Sequence, residues 1–216
     1  MNKIDIALIK PQLKVLIFDF DETLYYSPNA LNCYINFIKN AILALSDYTE
    51  AQALEIMDKY GFTTRGENRV SFGKTCESFG ISKADWDKYR IDTFFEIDYE
   101  NASTVSNKLL EKVGKKYDLY IVSNEIYENL LIKAQKLNID LSNFKRVYAP
   151  KKAENISINK RAVYQEILET NVITSAQAIA IGDRHKVDIK PLEELGGVGV
   201  QISNTAQVEN LLRELL

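Results

Sequence analysis

The segment that most restricts the fold is residues 14–20, KVLIFDF, where a compact apolar run breaks off into Asp19, Asp21 and Glu22. The run does not alternate apolar with polar residues. It therefore suits a strand covered on both faces, as in a parallel sheet, better than one with a solvated face. Similar short runs recur at 119–122 (LYIV), 146–149 (RVYA), 178–181 (AIAI) and 198–202 (VGVQI). Helical spacing separates the later ones: Leu130, Leu131, Ala134 and Leu137 form one set, and Ala162, Val163, Ile167 and Leu168 another. Further on, Asn204 stands as an N-cap three residues before Gln207, ahead of Val208, Leu211 and Leu212. Strands alternating with helices predict βαβ crossovers, and hence an α/β fold built on a parallel sheet.

Residues 24–100 interrupt that alternation. Ser27-Pro28 reads as an N-cap and first helical residue, followed by Leu31, Tyr34, Ile35, Ile38, Ile42 and Leu45 at three- and four-residue steps. Thr49 and Gln52 make a capping-box pair opening a helix with Leu54, Met57 and Tyr60, which Gly61 stops. Ser82 with Asp85 starts a third helix carrying Trp86 and Tyr89. A crossover needs only one helix, so the surplus predicts a small α-helical subdomain over 24–100, inserted into an α/β core made of 1–23 and 101–216. A chain of 216 residues can bury a substantial core in that arrangement.

Composition narrows the function classes. With 46% hydrophobic and 26% charged residues the chain reads as globular and not disordered. A formal net charge of −3 without a long basic run argues against a nucleic-acid partner. No apolar stretch approaches the ~18 residues of a spanning helix, and MNKIDIALIK makes a poor signal peptide, so a cytoplasmic protein without a membrane partner is expected. Cys33 and Cys76 allow at most one disulfide and lack zinc-ligand spacing. His185, the single histidine, cannot supply a multi-histidine metal site, and a Ser-His-Asp triad would have to be built around it. Carboxylates and lysines are left as the carriers of chemistry.

In an open α/β sheet, ligands bind beyond the carboxyl ends of the strands. The first predicted strand ends in Asp19 and Asp21, the second in Ser123-Asn124, and that over 178–181 in Gly182-Asp183, with Asp188 five residues later. Asp19 and Asp21, one residue apart where the chain leaves the extended conformation, can both project toward one site. Acidic residues also cap helices and make turns, so one alone carries little. The ordered set, each member at the end of a separate strand, points to a hard cation such as Mg²⁺, which takes oxygen ligands. A carboxylate in such a site can also act as a nucleophile.

These residues resemble the motifs of the haloacid dehalogenase superfamily, in its phosphatase branch, over nearly the whole chain from Lys14 onward. DFDETL (19–24) matches the first motif, IVSN (121–124) is similar to the second, Lys160 fits the third, and IGDRHKVDI (181–189) matches the fourth. The resemblance implies a Rossmann-like core and makes 24–100 similar to the helical cap of the family's first cap class, a mobile cap that closes over the site. Dehalogenases lack the second aspartate of the first motif, so Asp21 favours phosphoryl transfer.

The resemblance implies that Asp19 attacks phosphorus and that Asp21 protonates the leaving group and later deprotonates water. That double role calls for a pKa above the ordinary ~3.9. It implies Mg²⁺ held by Asp19, the Asp21 backbone carbonyl and Asp183, with Asp188 supporting the metal's waters or the lysine. It further implies that Ser123, backbone N–H groups near Asn124, and the lysine hold the phosphoryl oxygens. Lys151 and Lys152 are alternatives to Lys160, which opens a helix, where a phosphate is favoured. The implied activity is hydrolysis of a small phosphate ester. A phosphomutase using the same residues and a non-catalytic binding or scaffold protein are the alternatives. Tyr25 and Tyr26 line the entrance or pack; His185 lies beside the site or in an exposed loop. Arg65, Arg69 and Lys74 reach over substrate or form a solvated loop. Trp86 is expected in the core of the insertion, and Cys33 as a buried thiol.

Overall fold

All five apolar runs join one sheet. In the computed structural model, which describes residues 6–63, 70–152 and 158–216, they become β1 (Val15–Phe18), β4 (Asp118–Val122), β5 (Arg146–Tyr148), β6 (Ala178–Gly182) and β7 (Val198–Gln201). The sheet order is β5-β4-β1-β6-β7, every pair parallel. This is the α/β fold expected from the sequence. Val15, Leu16, Ile17 and Phe18 of the central strand are fully buried, so nothing on β1 faces water and the unbroken apolar run is accounted for. The chain moves from β1 outward to β4 and β5, then to β6 and β7 on the other side. That reversal opens a crevice at the carboxyl end of β1.

Helices α4 (Asn107–Gly114), α5 (Tyr127–Lys136) and α6 (Lys160–Thr170) lie in the crossovers, and α7 (Thr205–Leu215) follows the last strand. Tyr164, Ile167 and Leu168 of α6 cover one face of the sheet over Val15, Ile17, Tyr120 and Val122. Asn204 caps α7, its side chain accepting from the Gln207 N–H at 3.0 Å. The sequence reading contained neither α4 nor the two-residue antiparallel ribbon of β2 (Tyr25–Tyr26) and β3 (Ser103–Thr104). Both ribbon strands are too short to leave a periodic signal.

The chain divides into two compact units, one of residues 1–26 and 102–216 and one of 27–101. The second unit holds α1 (Ala30–Leu45), α2 (Glu50–Lys59) and α3 (Lys83–Asp92) around its own core. Trp86 lies in that core, its ring centroid 4.5 Å from that of Phe72. The Thr49/Gln52 capping box is formed, and Gly61 follows α2 with φ 69°, a left-handed conformation that favours glycine. Two readings need correction. The first helix begins at Ala30 with Asn29 at its N-cap position and no side-chain capping bond, and Ser27 instead donates its hydroxyl to the Asp98 carbonyl at 3.2 Å. Cys33 is half-buried; the buried thiol is Cys76. Lys74 is exposed, and Arg65 and Arg69 lie outside the described residues. No helix among the described residues is long and apolar enough to cross a membrane.

Candidate active site

The three central strands end together. Phe18 stands level with Ile121 and Ile181, so the residues that follow β1, β4 and β6 emerge at one edge of the sheet. The Asp19 N–H still donates to the Ile181 carbonyl at 2.9 Å, and the Ser123 N–H to the Tyr148 carbonyl at 2.9 Å, which ties both residues to the strand ends. Asp19, Asp183 and Asp188 each offer a carboxylate oxygen, and these oxygens all lie within 4.8 Å of one another. Asp19 and Asp188 are buried and Asp183 is partly exposed.

Lys160, the first residue of α6, enters this cluster. Its Nζ donates to Asp19 Oδ1 at 2.7 Å and to Asp188 Oδ1 at 2.8 Å, with 5% of the residue exposed. Asn159 caps the same helix through a bond from the Ala162 N–H. Lys151 and Lys152 are exposed, and the Lys152 N–H donates to Glu128. Burial works against the Lys160 charge, but Asp19 and Asp188 outweigh it and hold the ammonium well above its ordinary range. Burial, and next the Asp188 carboxylate, push the Asp19 carboxyl up to about 7 despite the opposing pull of Lys160.

Asp188 is the most firmly held of the three. Its Oδ2 accepts from the Arg184 N–H at 2.9 Å and its carbonyl from the buried Tyr164 hydroxyl at 2.8 Å. Residues 185–189 form a π-type turn that brings it back over β6. Gly182 makes room: a Cβ there would stand 2.3 Å from the Asp188 Cβ. Gly182→Ala is therefore expected to displace Asp188 and lower stability by about 1–3 kcal/mol, as overpacking does. Thermal unfolding measures it, and an unchanged midpoint would mean that the turn absorbs the methyl group.

Three mutually close carboxylates exceed the charge of one ammonium. Two like charges 4 Å apart repel by about 4 kcal/mol at the effective dielectric of a protein. An all-oxygen donor set with this excess fits a hard dication such as Mg²⁺, and the Arg184 Nε, 3.8 Å from Asp183 Oδ1, offsets only part of it.

Asp21 sits in a separate arrangement. Its Oδ1 accepts from Tyr25 Oη at 2.5 Å and from Lys133 Nζ at 2.8 Å. Burial and the Asp21 charge keep the Tyr25 phenol well above its ordinary range, so it donates. Lys133 has no solvent exposure and also pairs with Glu125 Oε2 at 2.5 Å. Ser123 is buried, its Oγ accepting from the Glu125 N–H at 3.0 Å, and Asn124 follows it partly exposed. Tyr26 is partly buried in β2, and His185 is partly exposed, pairing with Glu193 at 2.9 Å.

The sequence reading passed over Lys133, Glu125, Tyr164 and Arg184. Three of these carried a signal. Glu125 and Lys133 are spaced i and i+8 with Asn129 between, a single stripe at helical period, and Tyr164 is four residues past Lys160 on the same helix face.

No family model matches the sequence, and no curated protein matches it. Solved structures do match along nearly the full length. A haloacid dehalogenase-like family hydrolase from Streptococcus pneumoniae is 21% identical with a TM-score of 0.53, covering 93% of this chain and 91% of its own. A predicted phosphatase from Clostridium acetobutylicum is 16% identical with a TM-score of 0.57, covering 94% and 99%. A predicted phosphoglycolate phosphatase from Haemophilus somnus is 18% identical with a TM-score of 0.54, covering 89% and 86%. Together with the 5-4-1-6-7 parallel sheet and the helical insertion between its first two sequential strands, these matches show that the chain has the haloacid dehalogenase-like fold.

Proposed function

We propose that the protein is a Mg²⁺-dependent phosphomonoester hydrolase acting on a small phosphate ester through an aspartyl-phosphate. The observation that carries this reading is the cluster of Asp19, Asp183 and Asp188 around Lys160 at the crevice beyond β1. The phosphatases among the structural matches, though predicted ones, agree with it.

In this mechanism an Asp19 oxygen attacks phosphorus as the bond to the ester oxygen breaks, and Asp21, protonated for this step on Oδ2 while Oδ1 accepts from Lys133 and Tyr25, gives that proton to the departing oxygen to release the alcohol. Asp21, now ionised, takes a proton from a water whose oxygen attacks the same phosphorus. The bond to Asp19 breaks, phosphate leaves, and both aspartates regain their starting state. Lys160, touching Asp19, supplies a fixed positive charge where the phosphoryl oxygens gather, and the buried Ser123 at the end of β4 supplies a hydroxyl. Asp188 keeps Lys160 in place through its own bond to Nζ. Asp19, Asp183 and the Asp21 carbonyl would hold Mg²⁺, which would supply charge neutralisation between the nucleophile and a phosphate dianion.

The test is hydrolysis of 4-nitrophenyl phosphate with and without Mg²⁺. Turnover that requires the metal is expected. A protein that binds Mg²⁺ yet hydrolyses neither this ester nor a panel of alkyl phosphates would overturn the reading.

A further inference from the structure

Outside the acidic cluster, the chain buries a second polar group. Lys133 projects from the middle of α5, among the buried Leu130 and Ala134, and its ammonium is withdrawn from solvent. Taking such a charge out of water is unfavourable unless partners replace the water, and a neutral apolar residue of similar volume often serves a core as well or better. Glu125 already balances the charge: its Oε2 is 2.5 Å from Lys133 Nζ, and its other oxygen accepts from the Ile126 N–H at 2.8 Å. Asp21 is not needed to neutralise the pair, yet the ammonium also bonds its Oδ1 at 2.8 Å, across 112 residues of sequence. Tyr25 donates to that same oxygen. Two donors from different elements thus converge on one oxygen of a side chain that is itself a third exposed.

We propose that Lys133, held by Glu125 and assisted by Tyr25, is a positioning residue that sets the rotamer of Asp21, so that the carboxyl group meets the leaving oxygen. This rests on the hydrolase reading above. A carboxylate on a two-torsion side chain at the end of a strand has several staggered positions open to it. An ammonium anchored on a helix and a phenol anchored on β2 remove most of them. The step affected is the transfer of the Asp21 proton to the oxygen leaving phosphorus, and the attack by Asp19 is untouched. The geometry of a proton donor matters most when the leaving group is a poor one, because a stable anion departs without being protonated.

The experiment compares phenyl phosphate with 4-nitrophenyl phosphate, two esters of similar shape whose leaving groups differ in basicity, in wild type and Lys133→Met. The expected result is a kcat for phenyl phosphate lowered by on the order of 10²-fold, within the range of general-acid contributions. For 4-nitrophenyl phosphate the loss is only a few-fold, and KM is unchanged for both. In an Asp21→Asn background, adding Lys133→Met is expected to produce no further change in the ratio of the two rates, as holds when one residue acts through another. Equal losses for the two esters, or an additive effect in the Asp21→Asn background, would overturn the inference and assign Lys133 to stability alone. Should Lys133→Met fail to fold, Tyr25→Phe and Glu125→Gln carry the same test. Each is expected to widen the gap between the esters several-fold, and a constant ratio in both would reject the proposal. Wild type that binds Mg²⁺ yet is inactive on both esters and on the alkyl phosphate panel overturns the hydrolase reading itself, a result distinguishable from an active enzyme whose variants show no leaving-group effect.

Discussion

Asp19→Asn is expected to eliminate turnover, by on the order of 10⁶-fold in kcat, the scale at which loss of a covalent nucleophile is felt, while the folded protein becomes more stable at pH 8. The two effects have one origin. Asp19 is buried beside two other carboxylates, and burial and Asp188 raise its carboxyl to about 7. In the unfolded chain the same group titrates near ~3.9. Between those two values the folded protein keeps a proton that the unfolded chain has released. Without metal, stability therefore falls as pH rises from about 4 to about 7, by on the order of a few kcal/mol. This is opposite to the usual acid-sensitive carboxylate. Asparagine keeps an oxygen for the Lys160 bond and removes the charge. The comparison is thermal unfolding of wild type and variant at pH 5.5 and pH 8 in chelator, then with Mg²⁺. The variant should gain most at pH 8, and Mg²⁺ should raise the wild-type midpoint more than that of the variant. Measurable turnover by Asp19→Asn would remove Asp19 as nucleophile, and an equal shift at both pH values would remove the charge argument.

Lys160→Met is expected to have the largest effect on stability. The substitution preserves much of the stem but leaves Asp19 and Asp188, both buried, without the ammonium they share. Deleting one partner of a buried ion pair typically destabilises by about 3–5 kcal/mol. At about 2–4 °C per kcal/mol for a chain of this size, the unfolding midpoint drops by roughly 6–20 °C. The loss should shrink at pH 5.5, where a carboxyl can take up a proton, and millimolar Mg²⁺ should recover part of it, as expected of a cation whose site forms only on folding. Under the proposed function turnover should fall as well, since Lys160 would no longer supply the phosphoryl oxygens with a fixed cation. A variant as stable as wild type in chelator at pH 8 would show that the cluster does not depend on Lys160.

Strand existence and the parallel sheet were legible because the period of the pattern is local. Residues 15–18 are apolar without a gap, and only a strand covered on both faces makes use of that. The capping residues Thr49, Ser82 and Asn204 act within three residues of themselves, and all three accept from the backbone N–H that their spacing names. Ser27 misled for the complementary reason: its hydroxyl is used by Asp98, 71 residues away, which no local rule sees.

The acidic residues at the strand ends follow the same division. Their position after each apolar run is a property of the chain alone, because a parallel sheet aligns the carboxyl ends of its strands. That Asp188 turns back over Gly182 to meet Lys160, and that Asp21 turns to Lys133 and Tyr25 instead of joining the cluster, depends on side-chain contacts across the sheet and between its crossovers. The bonds from Lys160 and Lys133 to these aspartates span 28 to 141 residues of sequence, and the donors are ordinary lysines until packing removes the water around them. Periodicity reports which face of an element is buried. Charge pairing inside that face is set only when the elements meet, because burial is what makes one ammonium worth two carboxylates.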